Sequence, residues 1–227
     1  MTDYKKRLEQ ALIEIAIITV SILLAFALER WWDKQIDLRQ KGELVSSLIQ
    51  EFEATAIELD SALTAHRDRQ LGASELSQMQ TSTIGNVSPD LISQYWYWVV
   101  TPDETYPPRG ALNSAISGNR LSLIHNQALK SRLAGWSDRL ENFRQTERLL
   151  AEYTLHEFWP DVATDVILPL NKESIGRETD EVILMPATKN HLNLLALGSN
   201  VAIDQIETLQ KELTEILQLL QEEIANH

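Results

Sequence analysis

Leu44 to Leu63 reads LVSSLIQEFEATAIELDSAL, and this stretch decides the fold. Leu44, Leu48, Phe52, Ala56, Leu59 and Leu63 recur at spacings of four and three, the period of one helix face. Glu43, Glu51, Glu53, Glu58 and Asp60 fall largely off that face. The pattern predicts an amphipathic helix with a single stripe to bury. No glycine precedes Gly42 and no proline precedes Pro89, so nothing breaks the helix on its N-terminal side. Gly72 is its expected end.

Upstream, Ala11 to Leu28 reads ALIEIAIITVSILLAFAL, with Glu14 its only ionisable residue. With Trp31 and Trp32 as an interfacial anchor, the run reaches the roughly 20 residues that a bilayer-crossing helix needs. Ala25-Phe26-Ala27 also resembles a signal-peptide cleavage site. Glu14 inside the apolar run, and the absence of glycine or proline before the cut, favour a permanent anchor instead. A cytoplasmic tail over 1–10, a transmembrane helix over 11–32 and an extramembrane domain over 33–227 are therefore expected. Lys5, Lys6 and Arg7 precede the run, and Arg30, Lys34, Arg39 and Lys41 follow it, so a basic-residue count does not orient it. Large domains translocate largely regardless of charge, which favours a cytoplasmic N-terminus and a periplasmic domain at a bacterial inner membrane. Glu14 is a candidate for proton transfer or helix pairing. It lies only about 4.5 Å above Ala11 at helical rise, close enough to the boundary for its carboxylate to reach water.

Downstream, Ser88-Pro89 is a helix N-cap and first-turn pair. The helix it opens carries Tyr95-Trp96-Tyr97-Trp98, whose rings point around more than half its circumference. Either one ring meets solvent or a partner, or the helix is sandwiched between two others. A proline-rich turn follows from Thr101 to Gly110. Leu129, Leu133, Trp136, Leu140, Phe143 and Leu150 then form a second stripe ending at Pro160. Glu147 occupies the missing stripe position between Arg144 and Arg148, and drift of the stripe towards solvent is expected there. Val182-Ile183-Leu184-Met185 reads as a short strand-like run within the irregular stretch from Pro169 to Pro186. Ile206, Leu209, Leu213, Ile216, Leu220 and Ile224 close the chain as a near-heptad seam, for a bundle or for an oligomer.

The fold class is accordingly all-α: a single transmembrane helix continuing into an antiparallel helical bundle, closed by an amphipathic, coiled-coil-like helix. Composition agrees, with 8 glycines and 7 prolines in 227 residues and 44% hydrophobic residues for a core. The chain has no cysteine, which excludes disulfides and thiolate chemistry. A net charge of −13 argues against nucleic acid as a partner.

Two blocks of residues carry a family resemblance. Thr105-Tyr106, Leu112, Ser117-Gly118-Asn119, Leu121, Leu123-Ile124, Asn126 and Leu129 form one. Ile13-Glu14-Ile15, Ile22-Leu23-Leu24-Ala25 and the tryptophan pair form the other. Together they resemble a bacterial family labelled only as a domain of unknown function. The resemblance implies one N-terminal membrane helix and a mostly helical remainder, and it brings no activity with it.

Chemistry is sparse. Glu152, His156 and Asp161 have a spacing that could hold a divalent metal, but they lack a second histidine and straddle Pro160. A solvated helix end is the expected reading. His66 and His125 stand near apolar stripes as packing or capping residues. No nucleophile elbow, phosphate loop or dinucleotide fingerprint occurs, so no catalytic, cofactor or metal residues are assigned. The expected role is a non-enzymatic scaffold that oligomerises or docks on a protein partner. The alternatives are a ligand-sensing bundle or, less favoured, a metal-dependent hydrolase.

Overall fold

A computed structural model describes residues 2–101, 104–163 and 180–225, with side chains from residue 17 onward. The described residues are helical apart from their connections, and no strand occurs among them, so the protein is all-α. The first helix, α1, runs unbroken over Thr2–Gln78, 77 residues or about 115 Å at 1.5 Å per residue. It passes straight through Gly72, the expected end. A Cβ on Gly72 would stand 2.8 Å from the carbonyl oxygen of Tyr95, so this glycine lets the next helix approach closely.

That helix, α2 (Pro89–Val100), starts as expected, with the Ser88 hydroxyl accepting the Leu91 N–H at 3.2 Å. Four arms alternate in direction. Tyr95 lies at Gly72 and the Thr101 carbonyl takes a hydrogen bond from Arg69, so α2 descends along α1. Further along, α3 (Gly110–Ser117) continues the descent past Glu51, and Arg120 reaches the Gln40 carbonyl. The third arm, α4 (Gln127–Tyr153), climbs again, pairing Trp136 with Phe52 at 5.3 Å and Phe143 with His66 at 6.2 Å. It continues through one π turn, Thr154–Phe158, into α5 (Trp159–Ala163), so Pro160 does not end it. A π turn opens the backbone by one residue, just where the proline ring would otherwise collide with the preceding turn.

A short helix, α6 (Asp180–Leu184), replaces the strand-like run, with Val182 and Ile183 buried. Four apolar residues do not distinguish helix from strand by period. No strand stands nearby among the described residues to pair with their backbone, so local bonding prevails. The last arm, α7 (Pro186–Ala225), descends the full length of the bundle. Its Lys189 ammonium reaches the Met79 carbonyl at 2.5 Å, Glu207 meets Arg67 at 2.8 Å, and Glu223 meets Lys41 at 2.9 Å. Most of the stretch Pro169 to Pro186 lies outside the described residues.

The core begins at Lys41. Below it, the side chains of residues 17–40 are exposed except half-buried Ile36. Lys34, Asp37 and Leu38 still lie beside Ser122, Leu123 and His125, and residues 17–33 extend about 25 Å further. Among the described residues no helix is long and apolar enough to cross a membrane. Side chains of the apolar run are described only from Ile17 to Leu28, twelve residues against the roughly 20 a span needs, and the expected spanning helix over 11–32 is not shown. Residues 1–10 and the side chain of Glu14 lie outside the described side chains.

Candidate functional site

The break in the descending arm creates the most demanding polar problem in the core. Between Glu104 and Arg109 the chain lies outside any helix, and where it turns inward at buried Thr105 its N–H needs a partner, as do the last carbonyl of α2 and the first N–H groups of α3. Three charged side chains supply them. Arg69, buried on α1, donates to the Thr101 carbonyl at the end of α2. Glu51, also on α1, accepts the Ala111 N–H at 2.5 Å and the Leu112 N–H at 3.0 Å, capping the start of α3. Glu147, on α4, accepts the Thr105 N–H at 3.0 Å and the Thr105 hydroxyl at 2.6 Å.

Glu147 is 2% exposed, which corrects the expectation of drift towards solvent. Its Oε1 also faces His66 Nε2 at 3.4 Å, and that ring is fully buried with no partner on Nδ1. The carboxylate tolerates burial because it accepts from several donors at once. His66 is a packing residue, as expected, and also closes this clasp.

A second cluster ties the base of the bundle. Glu223 Oε1 accepts from the Lys41 ammonium and from the His125 N–H, each at 2.9 Å. Burial pushes the Glu223 carboxyl up, but the His125 N–H together with the hydrogen bond and charge of Lys41 outweighs it and holds the group below the usual carboxylate range. A depressed folded value means that the ionised form stabilises the fold. That contribution is complete above the unfolded carboxylate value of about 4.3 and disappears as pH falls through the lower folded one. Urea midpoints measured downward from about pH 6 should therefore fall through the acid range. The Glu223→Gln variant should lose less over the same window.

A third cluster sits at the far end. The Tyr153 hydroxyl donates to His191 Nδ1 at 2.7 Å, and His191 Nε2 donates to Asp161 at 2.9 Å. Burial, then the nearby Glu157 and Asp161 carboxylates, push the tyrosine up, which keeps its hydroxyl proton in place to donate. Asp161 is thus engaged with His191, while Glu152 and His156 point to solvent. The Glu152, His156 and Asp161 spacing does not become a cluster. Among the described residues no three histidine or carboxylate groups stand close enough to hold a metal ion.

The aromatic run divides by face. Trp96 is buried against Phe158, Tyr95 and Trp98 are half-buried in mutual contact at 5.8 Å, and Tyr97 is 44% exposed. The residues that carried the family resemblance build the passage from α3 to α4. Leu112, Ile124 and Leu129 are core, and Leu121 is half-buried. The Ser117 hydroxyl bonds back to the Asn113 carbonyl, next to exposed Gly118. Asn119 adopts a left-handed conformation at φ 52°, and the Asn126 side chain caps α4 through the Leu129 N–H at 3.1 Å. Tyr106 is exposed, with the Arg144 guanidinium 5.2 Å from its ring centroid.

The C-terminal seam is occupied within the chain. Ile206, Leu209, Leu213, Ile216 and Leu220 are buried on the face that α7 turns to α1 and α4. Ile224 is 45% exposed and Glu223 takes the core position beside it. Comparison with family models, curated proteins and solved structures found no match.

Proposed function

We propose that this chain is a membrane-anchored helical scaffold, held by residues 11–32 in a bacterial inner membrane. Residues 1–10 form a cytoplasmic tail, and residues 33–227 a periplasmic domain that docks on a protein partner or on another copy. One observation supports the anchor above all. Ile17, Ile18, Val20, Ile22, Leu23, Leu24, Phe26 and Leu28 are each at least half exposed, on a helix that continues without interruption into the bundle. Removing eight such side chains from water is worth on the order of 10 kcal/mol, a term that lipid would supply. Exposed Trp31 and Trp32, with ring centroids 6.3 Å apart, follow the run where an interfacial belt belongs.

Docking is supported by exposed apolar side chains above the stalk, among them Tyr97, Leu194, Leu197 and Val201. Oligomerisation through the C-terminal seam would compete with the bundle's own packing, so a second copy would have to meet another face. No catalytic role is proposed. The alternative of a ligand-sensing bundle is favoured by one feature, a groove of about 380 Å³ between α4 and α7, lined by Phe143, Val201, Gln205 and Leu209. A thermal-shift screen of small metabolites tests that alternative, because a ligand of the folded state raises its melting temperature.

The anchor is tested by washing membranes from cells expressing the full chain with alkaline carbonate. The protein is expected in the pellet, and protease added to intact spheroplasts is expected to digest the domain over 33–227. Release into the wash overturns the anchor. A domain protected in intact spheroplasts but cut after lysis overturns the orientation.

A further inference from the structure

The groove between α4 and α7 differs in chemistry from wall to wall. Its floor is apolar, formed by buried Phe143 and Leu209 with exposed Val201 beside them. Donors stand on the α4 wall. Arg139 Nη2 donates to the Arg132 carbonyl at 2.9 Å and meets Glu212 at 2.5 Å, while the Arg139 Nε–H is buried without an acceptor. Asn142, three residues further along α4, is exposed at the same groove. Acceptors stand on the α7 wall. Gln205 Oε1 is buried without a donor, and the adjacent Asp204 is exposed. Among the described residues, neither the Asn142 nor the Asp204 side chain has a hydrogen-bond or ion-pair partner.

A buried donor and a buried acceptor with no partner each carry a desolvation cost that nothing in the chain offsets. The terminal torsion of a glutamine is soft, so Gln205 can turn its oxygen into the groove. At about 380 Å³ the groove lies within the range of small-molecule sites. A fitting ligand donates to the α7 wall, accepts from the α4 wall and covers the apolar floor between them. A hydrocarbon would leave both walls unanswered. A simple amine would leave the Arg139 Nε–H without an acceptor, and a simple carboxylate would meet Asp204 as a like charge. Arg139 and Asn142 are one turn apart, and Asp204 and Gln205 are adjacent, on helices of a kind that pack roughly 8–10 Å apart. The two charges of the ligand must therefore sit close together, as they do on a single α-carbon.

We propose that this groove binds an α-amino acid with an apolar side chain, which deepens the alternative of a ligand-sensing bundle and rests on it. The ammonium lies on Asp204 and Gln205, the carboxylate on Arg139 and Asn142, and the side chain on Phe143, Leu209 and Val201. The zwitterion is neutral, so the ion pair of Arg139 with Glu212 stays intact when it binds.

Removing one charge of the ligand at a time gives the test. The full, detergent-solubilised chain is titrated calorimetrically with L-leucine and L-phenylalanine, then with isoamylamine and isocaproate, which are leucine without its carboxylate and without its amino group. Saturable binding of at least one amino acid is expected, with the analogues about tenfold weaker or more, the weight of a lost hydrogen bond to a charged group. Asp204→Asn, at an exposed position, should weaken the amino acid about tenfold and abolish its advantage over isocaproate. Val201→Trp fills the groove from its exposed side and should abolish binding altogether. An amino acid that binds no more tightly than the analogues, or that ignores Asp204→Asn, overturns the proposal. The groove still stands as a ligand site if Val201→Trp removes that binding. Binding that survives Val201→Trp overturns the proposal and places the ligand elsewhere. No saturable binding of either amino acid also overturns it, and the ligand-sensing alternative falls too only if the thermal-shift screen finds no ligand that Val201→Trp removes.

Discussion

Replacing Glu147 with alanine is expected to lower the unfolding free energy by about 3–5 kcal/mol, because several buried donors lose their acceptor at roughly 1–3 kcal/mol each. The loss has identifiable parts. The Thr105 N–H and hydroxyl and the buried His66 ring lose their acceptor, and no solvent reaches them to replace it. For a chain of this length the melting temperature should fall by about 10 °C or more. Glu147→Gln keeps one acceptor oxygen but turns an NH₂ group towards the other donors, so its loss should be smaller yet clear. Chemical denaturation of both variants checks this, and losses below about 1 kcal/mol in each would show that the clasp does not hold the broken arm.

Trp96→Ala should cost a similar amount, about 3–5 kcal/mol, because the ring is almost fully buried and a large cavity would replace it. It faces Phe158 at 5.9 Å and thereby joins the second arm to the π turn of the third. Tyr97→Ala, one residue on, should stay within about 0.5 kcal/mol, as surface substitutions do. The contrast matters more than either value. Equal losses at the two positions would mean that the aromatic run is not divided between core and surface, and urea titrations of the pair decide it.

These two positions also show how far the sequence could be read. Apolar spacing located the stripes on α1, α4 and α7 correctly, because burial of one face follows helical period. The same alternation of three and four also lands on Glu147 and Glu223, which are both buried. Register alone puts both in the core, the charge of Glu147 argues against it, and the donors that make their burial possible come from distant parts of the chain: Thr105, Lys41 and the His125 backbone. Linear spacing carries no sign of such partners. Ile224 continues the seam by hydrophobicity, but Glu223 beside it is the position that is buried. Glu51, just before the stripe residue Phe52, gave no hint that it would cap α3 some 60 residues away. Gly72 departs from expectation for a related reason. A glycine that ends a helix and one that admits a neighbouring backbone look alike until the neighbour is known. The turn between Thr101 and Gly110 is legible from its prolines, but not that Thr105 within it is buried against Glu147.

The single helix that begins near the N-terminus and reaches Gln78 also has a mechanical meaning. An uninterrupted rod has no hinge at which bending or rotation can dissipate, so a tilt imposed on its lower end swings the upper end with it. At about 115 Å, a lean of roughly ten degrees displaces the tip by about 20 Å. The other three arms ride on that rod, and whatever grips its foot steers the whole body as a lever.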